Sequence, residues 1–251
     1  MRQLEKHLID QVERHRWFFW HRLRWHAVSG FLPRDRPFRL LDIGAGAGVL
    51  GHCLARDFAN GQYFFFEPLE SLAEHLAATF GPNRDVRDPK RYAEMDVVTL
   101  LDVLEHREDD LAFLQDLAAR LRPGCTLIIT VPALPSLWSA WDELLGHHRR
   151  YTRGTLGRVL RACRLEIVVQ HYLFPELLPL AYLRKCMSPA QGGAAAEGRS
   201  EFPAVPPLVN AGLYALGRII FPLSRLAPAG TSLFAVTRLP QHGAEGRKCR
   251  A

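Results

Sequence analysis

The sequence predicts an α/β protein of the doubly wound, Rossmann-like kind: a mostly parallel seven-stranded sheet with an antiparallel last strand, an N-terminal helix and a helical insertion before that last strand. Three observations lead there. From Phe38 onward, short apolar runs alternate with segments of helical spacing. The runs FRLLDI, QYFFFE, MDVVTLLDV and CTLIITVP are apolar nearly throughout, as strands covered on both faces must be. A glycine-rich turn, GAGAG, follows the first of them directly.

At 251 residues the chain suits one such unit with additions better than two independent domains. Hydrophobic residues make up 48% and charged residues 23%, a globular balance that argues against disorder. The net charge of +6 and the pI near 9.3 suit an anionic partner, such as a phosphorylated substrate, a nucleic acid or an acidic membrane surface, without specifying one. Cys53, Cys125, Cys163, Cys186 and Cys249 are scattered and never form a C-x-x-C pair, which points to reduced thiols in a cytosolic protein and to no metal framework. The opening MRQLEKHLIDQVERHRWFFWHRLRWH mixes acids and bases throughout, so no signal peptide is expected and a cytoplasmic location is.

Taken in order, Gln3 to Val28 reads as one amphipathic helix, with Leu4, Leu8 and Val12 followed by Trp17, Phe18, Phe19, Trp20 and Trp25 among Arg and His. Residues 1–37 are expected to be this helix and a linker with Pro33 and Pro37, covering the site. The core, 38–174, alternates FRLLDI, the helix GVLGHCLARDF, QYFFFE, the helix LESLAEHLAATF, a short candidate strand in NRDVRD, MDVVTLLDV, the helix DDLAFLQDLAARL and CTLIITVP. A helix opened by Thr152, TRGTLGRVLRAC, and the strand LEIVVQHYLF complete it. Residues 175–230 form an insertion: PELLPLAYLRKCM, the linker PAQGGAAAEGRS, and PPLVNAGLYALGRIIFPLSRL. Prolines and Arg184, Arg218 and Arg225 interrupt its apolar flanks, so neither reaches the roughly 20 apolar residues of a membrane span, and a lid or interfacial hairpin is expected. TSLFAVTRL, within 231–240, is the last strand, and 241–251 a flexible tail.

A dinucleotide-binding loop carries G-x-G-x-x-G, its third glycine permitting close helix-to-strand packing and its pyrophosphate sitting on the helix N-terminus. Here Val49 stands at that third position, and Asp42 precedes the turn as D-x-G-x-G-x-G. A carboxylate there repels a pyrophosphate and suits a ligand bearing positive charge, an amino group and hydroxyls. S-adenosylmethionine is such a ligand. Glu67, about twenty residues further on at the end of QYFFFE, is placed to accept both hydrogen bonds of a ribose diol.

These motifs resemble those of the class I S-adenosylmethionine-dependent methyltransferases. LLDIGAGAG is similar to the first motif of that superfamily, and FFFEPLE to its acidic second motif. LLDVLEH resembles the fourth-strand motif of ubiquinone-biosynthesis-like methyltransferases, and LRPGCTLIITVPA the fifth-strand motif, with Cys125 where a second glycine is usual. ERHRWFFWHR and LWSAWDELLGHHRRYT resemble a bacterial subgroup with an E-x-H-W-W-F-x-x-R helix and a W-S-x-x-D-x-x-x-G-H-x-R-R-Y segment, Arg16 interrupting the helix spacing. That subgroup looks associated with envelope or lipid-linked metabolites.

The resemblance implies S-adenosylmethionine as cofactor, held by Asp42, Gly44, Ala45, Gly46, Gly48, Glu67, Pro68 and Asp102. The glycines would pass close under its methionine part, Asp42 would hold the loop or bond the amino group, and Glu67 would take the ribose. In such enzymes an acid after the third strand often bonds the adenine amino group; Asp85 and Asp88 are the candidates, Asp88 preferred. Asp102, at the carboxyl end of its strand, would face the sulfonium and the acceptor with Glu105 and His106. His147 is the family-matching histidine and His148 falls at a variable position; an imidazole can take a hydroxyl or amine proton at neutral pH, and Asp142 would orient it. The expected catalytic set is therefore His147, His106 and Asp142. Trp17, Glu105, Arg149, Arg150 and Tyr151 are expected at the acceptor, the two arginines gripping a phosphate or carboxylate. Asp102, Glu105, His106 and His147 show no spacing diagnostic of a metal, and none is expected.

The expected activity is methyl transfer to a small or lipid-linked metabolite, at oxygen, with bilayer contact through 175–226 at the inner membrane surface. A second reading is an RNA or protein methyltransferase, drawn from the basic, aromatic N-terminal helix. LDVLEH stands where an Asn-Pro-Pro-Tyr-like motif would, and no nucleic-acid module is visible, so nucleic acid is not favoured. A third is a protein that binds the cofactor without turnover, and the weakest is an NAD-dependent oxidoreductase, opposed by Val49 and Asp42.

Overall fold

The structure, a computed structural model, describes residues 18–187 and 205–241. Six strands make one sheet: β1 (Phe38–Ile43), β2 (Gly61–Phe66), β3 (Val97–Leu101), β4 (Thr126–Pro132), β5 (Glu166–Leu173) and β6 (Ser232–Arg238). Their spatial order is β2-β1-β3-β4-β6-β5. The first four are mutually parallel, and β6 runs antiparallel to both β4 and β5, as the sequence predicts for the last strand.

Adjacent apolar residues on the strands point to opposite faces, so two cores form. On one face Leu41, Val98 and Ile129 pack with Leu114 and Leu117 of α4 (Asp110–Arg120) and Leu156 and Leu160 of α6 (Arg153–Ala162). On the other, Leu40, Val97 and Ile128 pack with Leu50 and Leu54 of α2 (Val49–Asp57), Leu76 of α3 (Glu70–Phe80) and Leu23 and Val28 of α1 (Phe19–Ser29). This two-sided burial is why the strands read as unbroken apolar runs. Thr152 caps α6 by accepting from the Thr155 backbone N–H at 3.1 Å.

The expected seventh strand is corrected. NRDVRD makes a single bridge, Asp85 to Phe65, with the Val86 N–H donating to the Phe65 carbonyl at 2.8 Å. Pro82 and Pro89 flank it, each opening a short 3₁₀ turn, Pro82–Arg84 and Pro89–Glu94. Proline fixes φ and carries no N–H for a ladder, so pairing stops at once.

The N-terminal helix and the insertion, read separately from the sequence, form one layer. The insertion contains α7 (Leu178–Met187) and α8 (Pro207–Ser224). The Phe19 N–H at the start of α1 donates to Asn210 Oδ1 of α8 at 2.8 Å, the Arg22 guanidinium lies 3.5 Å from the Tyr214 ring centroid, and Arg218 contacts His26 Nδ1 at 2.7 Å. Trp17, the linker 188–204 and the tail from residue 242 lie outside the described residues. Cys53, Cys125, Cys163 and Cys186 are free thiols. Among the described residues no helix is long and apolar enough to cross a membrane.

Candidate active site

The carboxyl ends of the parallel strands converge on one edge of the sheet, where ligands bind in open α/β folds. A cavity of about 810 Å³ opens there beneath α1, α7 and α8.

β1 leads into the glycine turn. Gly44 takes φ +72°, a left-handed conformation, and a Cβ on it would come within 2.8 Å of Val103 Cγ2. Gly44, Ala45 and Gly46 line the cavity. Gly48 stands behind that wall: a Cβ there would lie 2.5 Å from Leu76 and 3.0 Å from Phe80, both on α3. The missing side chain lets α2 and α3 approach there.

Glu67 follows β2, is buried, and lines the cavity with Pro68. Its Oε2 accepts the Gly46 N–H at 2.7 Å and its Oε1 the Leu69 N–H at 3.0 Å, so one carboxylate fastens the glycine turn to the second strand. Each oxygen keeps acceptor capacity for a ribose hydroxyl. Asp42 accepts from the Thr99 hydroxyl at 2.7 Å and the Tyr63 hydroxyl at 3.1 Å. Burial pushes its pKa up to about 6, against the pull of those two bonds; burial also raises Glu67. An acidic wall of this kind fits the sulfonium and amino group of S-adenosylmethionine and opposes a pyrophosphate.

That raised pKa has a measurable consequence. Between the ordinary carboxyl value of 3.8 and about 6, Asp42 is protonated in the folded protein, and a cationic ligand favours its ionised form. Binding of S-adenosylmethionine should strengthen as pH rises through 6. Calorimetry at pH 5 and pH 7.5 should give tighter binding at the higher pH, and equal affinities would contradict the placement of Asp42 beside the cation.

Asp102 follows β3 with φ +61°, its N–H donating to the Thr130 carbonyl at 3.0 Å and its Oδ1 accepting from the Thr130 hydroxyl at 3.2 Å. Arg24 of α1 pairs with its carboxylate, and the Arg24 guanidinium lies 4.1 Å from the Trp20 ring centroid. Arg24 was missed from sequence; its signal is the Trp20–Arg24 pair one helical turn apart, which brings a cation over an aromatic face.

In the turn Leu104–His106, Glu105 is completely buried and neither carboxyl oxygen has a hydrogen-bond partner among the described residues. Burial, then the Asp102 charge, raise its pKa well above the usual carboxylate range. Burial and then His147 lower His106 to about 4, so its imidazole is neutral at physiological pH. The His106 and His147 rings meet edge to face at 4.7 Å. One ligand atom each from Glu105, His106 and His147 lie within 4.8 Å of one another, a donor set that could hold a divalent ion and that the linear spacing does not reveal.

Asp142, in α5 (Ala140–Leu145), is fully buried. Its Oδ2 accepts from the Ser139 N–H and hydroxyl at 3.0 and 3.2 Å, and its Oδ1 from Arg150 Nε at 2.8 Å. Burial works against its charge, but the His147 hydrogen bond and the Arg150 charge outweigh it and hold the pKa down. His147 Nδ1 lies 2.9 Å from Oδ1 of this ionised carboxylate. Nδ1 therefore carries the proton and Nε2 is left as the acceptor. His106, His147 and Arg150 all line the cavity.

Other expected contacts are corrected. Arg149 pairs with Asp110 at 2.8 Å and donates to the Glu108 carbonyl, while the buried Tyr151 hydroxyl donates to the same Asp110 at 2.7 Å. Successive side chains of an extended segment point to opposite sides, so Arg149 and Tyr151 share one side and Arg150 alone reaches the cavity. Asp88 is exposed and caps the 3₁₀ turn through the Lys90 N–H at 3.0 Å. Asp85 keeps a buried carboxylate oxygen without a hydrogen-bond partner among the described residues, its other oxygen bonding Arg87 at 2.8 Å.

This fold, with an acidic residue beside a glycine turn and an oriented histidine lining the same cavity, is that of the class I S-adenosylmethionine-dependent methyltransferases. Residues 14–170 match a family model described as a methyltransferase domain, and the chain belongs to that family. A ubiquinone biosynthesis O-methyltransferase of Proteus mirabilis is 33% identical over 151 residues, 48% of this chain and 58% of that protein. That of Vibrio cholerae is 34% identical over 94 residues, 34% of this chain and 38% of that protein. The chain thus spans between about two fifths and three fifths of these relatives' length. Among solved structures, phosphoethanolamine N-methyltransferase 2 of Haemonchus contortus with S-adenosyl-L-methionine shares the fold at TM-score 0.55 and 16% identity, covering 87% of this chain and 52% of that one.

Proposed function

We propose that the protein transfers a methyl group from S-adenosylmethionine to a hydroxyl oxygen of a small or lipid-linked metabolite, working at the inner membrane surface. The observation that carries this reading is the continuity of the cavity, in which Glu67 and His147 share one space of about 810 Å³. The cofactor supplies an electrophilic methyl group. The protein aligns the acceptor with it and excludes water beneath α1 and α8, and alignment of this kind is worth about 7 to 11 kcal/mol in oriented systems. His147 Nε2 receives the hydroxyl proton, and the Asp142 carboxylate stabilises the imidazolium that results. The name of the O-methyltransferase relatives supports oxygen as the methylated atom.

Membrane contact is supported by the outer face of the helical layer, where Leu183, Ile219 and Leu223 are exposed. The parent protein should co-sediment with anionic phosphatidylglycerol vesicles, and a triple variant with Leu183→Glu, Ile219→Glu and Leu223→Glu should not. Absence of sedimentation by the parent would dispose of the contact.

A tRNA U34 carboxymethyltransferase of Alteromonas mediterranea, 27% identical over 119 residues, keeps RNA as the rival acceptor. Incubation of the protein with methyl-labelled donor and separate lipid, RNA and small-molecule extracts decides between them. Label should enter the lipid or small-molecule fraction; label confined to RNA would overturn the proposal.

A further inference from the structure

Two guanidiniums gather at the His147 end of the cavity. Arg150, its side chain 13% exposed, and Arg184 of α7 both line the wall there, with Trp141 beside them. Asp142 is the carboxylate that acts on both, attracting Arg184 while Arg150 repels it. Its oxygens are already occupied by Ser139, His147 and the Nε of Arg150. Arg150 is anchored further by donating from Nη1 to the Ala133 carbonyl at 3.1 Å. Arg184 forms no ion pair with a carboxylate among the described residues; its guanidinium lies 4.6 Å from the Trp141 ring centroid, held by the aromatic face. Burial is the largest influence on Arg184 and opposes its charge, a cost that a bound anion would offset.

The neighbouring wall is apolar. Leu177, Leu180 and Leu213 line the same cavity, and α7 runs on to Leu183 and Met187 at the surface. Two guanidiniums of which only Arg150 is paired with a carboxylate, set beside an apolar wall, match a ligand with an acidic head and a greasy tail. We propose that Arg184, with Arg150, forms a subsite for the phosphate or carboxylate headgroup of an amphiphilic acceptor whose tail lies along Leu177, Leu180 and Leu213. This deepens the functional reading, resting on it only in assigning that end of the cavity to the acceptor.

Calorimetry with dodecyl phosphate, dodecyl maltoside and inorganic phosphate, each below any micelle-forming concentration, tests the subsite without any turnover. Dodecyl phosphate should bind about tenfold tighter than either of the others, because head and tail are both recognised. Arg184→Gln should abolish that advantage over dodecyl maltoside, Arg184→Lys should restore part of it, and S-adenosylmethionine affinity should be the same in all three proteins. Equal binding of the two amphiphiles by the parent, an unaltered advantage in Arg184→Gln, or inorganic phosphate binding as tightly as dodecyl phosphate would overturn the proposal. Failure of the parent to bind S-adenosylmethionine would instead sink the methyltransferase reading and leave the anion subsite standing.

Discussion

Substituting glutamine for His147 should lower kcat by roughly 10²- to 10⁴-fold, the usual contribution of a positioned general base, with S-adenosylmethionine affinity unchanged. The geometry separates the two effects. His147 lines the cavity without bonding Glu67 or the glycine turn, and its Nδ1 is committed to Asp142 at 2.9 Å. Glutamine preserves bulk and polarity but offers no basic nitrogen to a hydroxyl. Single-turnover rates with a labelled donor, set beside calorimetric donor affinity, read both quantities. Unaltered turnover would remove His147 from the chemistry and would favour an acceptor whose nucleophile needs no base.

The second large effect falls on the cofactor. Glu67→Ala should raise the Kd for S-adenosylmethionine by roughly two orders of magnitude, since hydrogen bonds to a charged group are each worth about 1.5 to 3 kcal/mol and the proposed site gives two ribose hydroxyls to this carboxylate. The loss has a structural part as well, because the Gly46 and Leu69 N–H groups lose their acceptor and the turn is no longer tied to β2. Glu67→Gln should fall between parent and alanine. Its amide oxygen accepts one of those N–H bonds, but its NH₂ then faces the other donor. At saturating donor, turnover in either variant should recover most of the parent value. A donor Kd equal to that of the parent in Glu67→Ala would show that the ribose lies elsewhere.

The glycine-turn half of the cavity was legible in the sequence because it is local. Asp42, Gly44, Ala45, Gly46 and Glu67 are all set by one β-α-β unit, whose strands announce themselves by apolar runs and whose turn must be glycine where φ is positive. Gly48 belonged to the same pattern, yet what it faces is set by α3, which the turn itself does not reveal. The sheet was legible for the same reason, apart from NRDVRD, where the flanking prolines outweighed its apolar centre. The acceptor half is assembled from distant segments. Glu105 and His106 meet His147 only because β3 and β4 lie side by side, and Arg24 reaches Asp102 only because α1 folds back across the strand ends. HHRRYT gave no clue to which side chains turn inward, since the bridge between Tyr151 and Ala133 decides it. Arg184 read as an interruption of an apolar stretch, and its place against Trp141 depends on α7 docking over α5.

The acidity of the pocket beneath the glycine turn is what most needs to be measured, and titration of the purified protein with S-adenosylmethionine and, separately, with NAD does so in one experiment. Saturable one-to-one binding of the sulfonium ligand, lost in Glu67→Ala, with no detectable heat from NAD, is the expected result. Binding of NAD in preference to S-adenosylmethionine would show that the carboxylates of Asp42 and Glu67 do not govern which ligand enters.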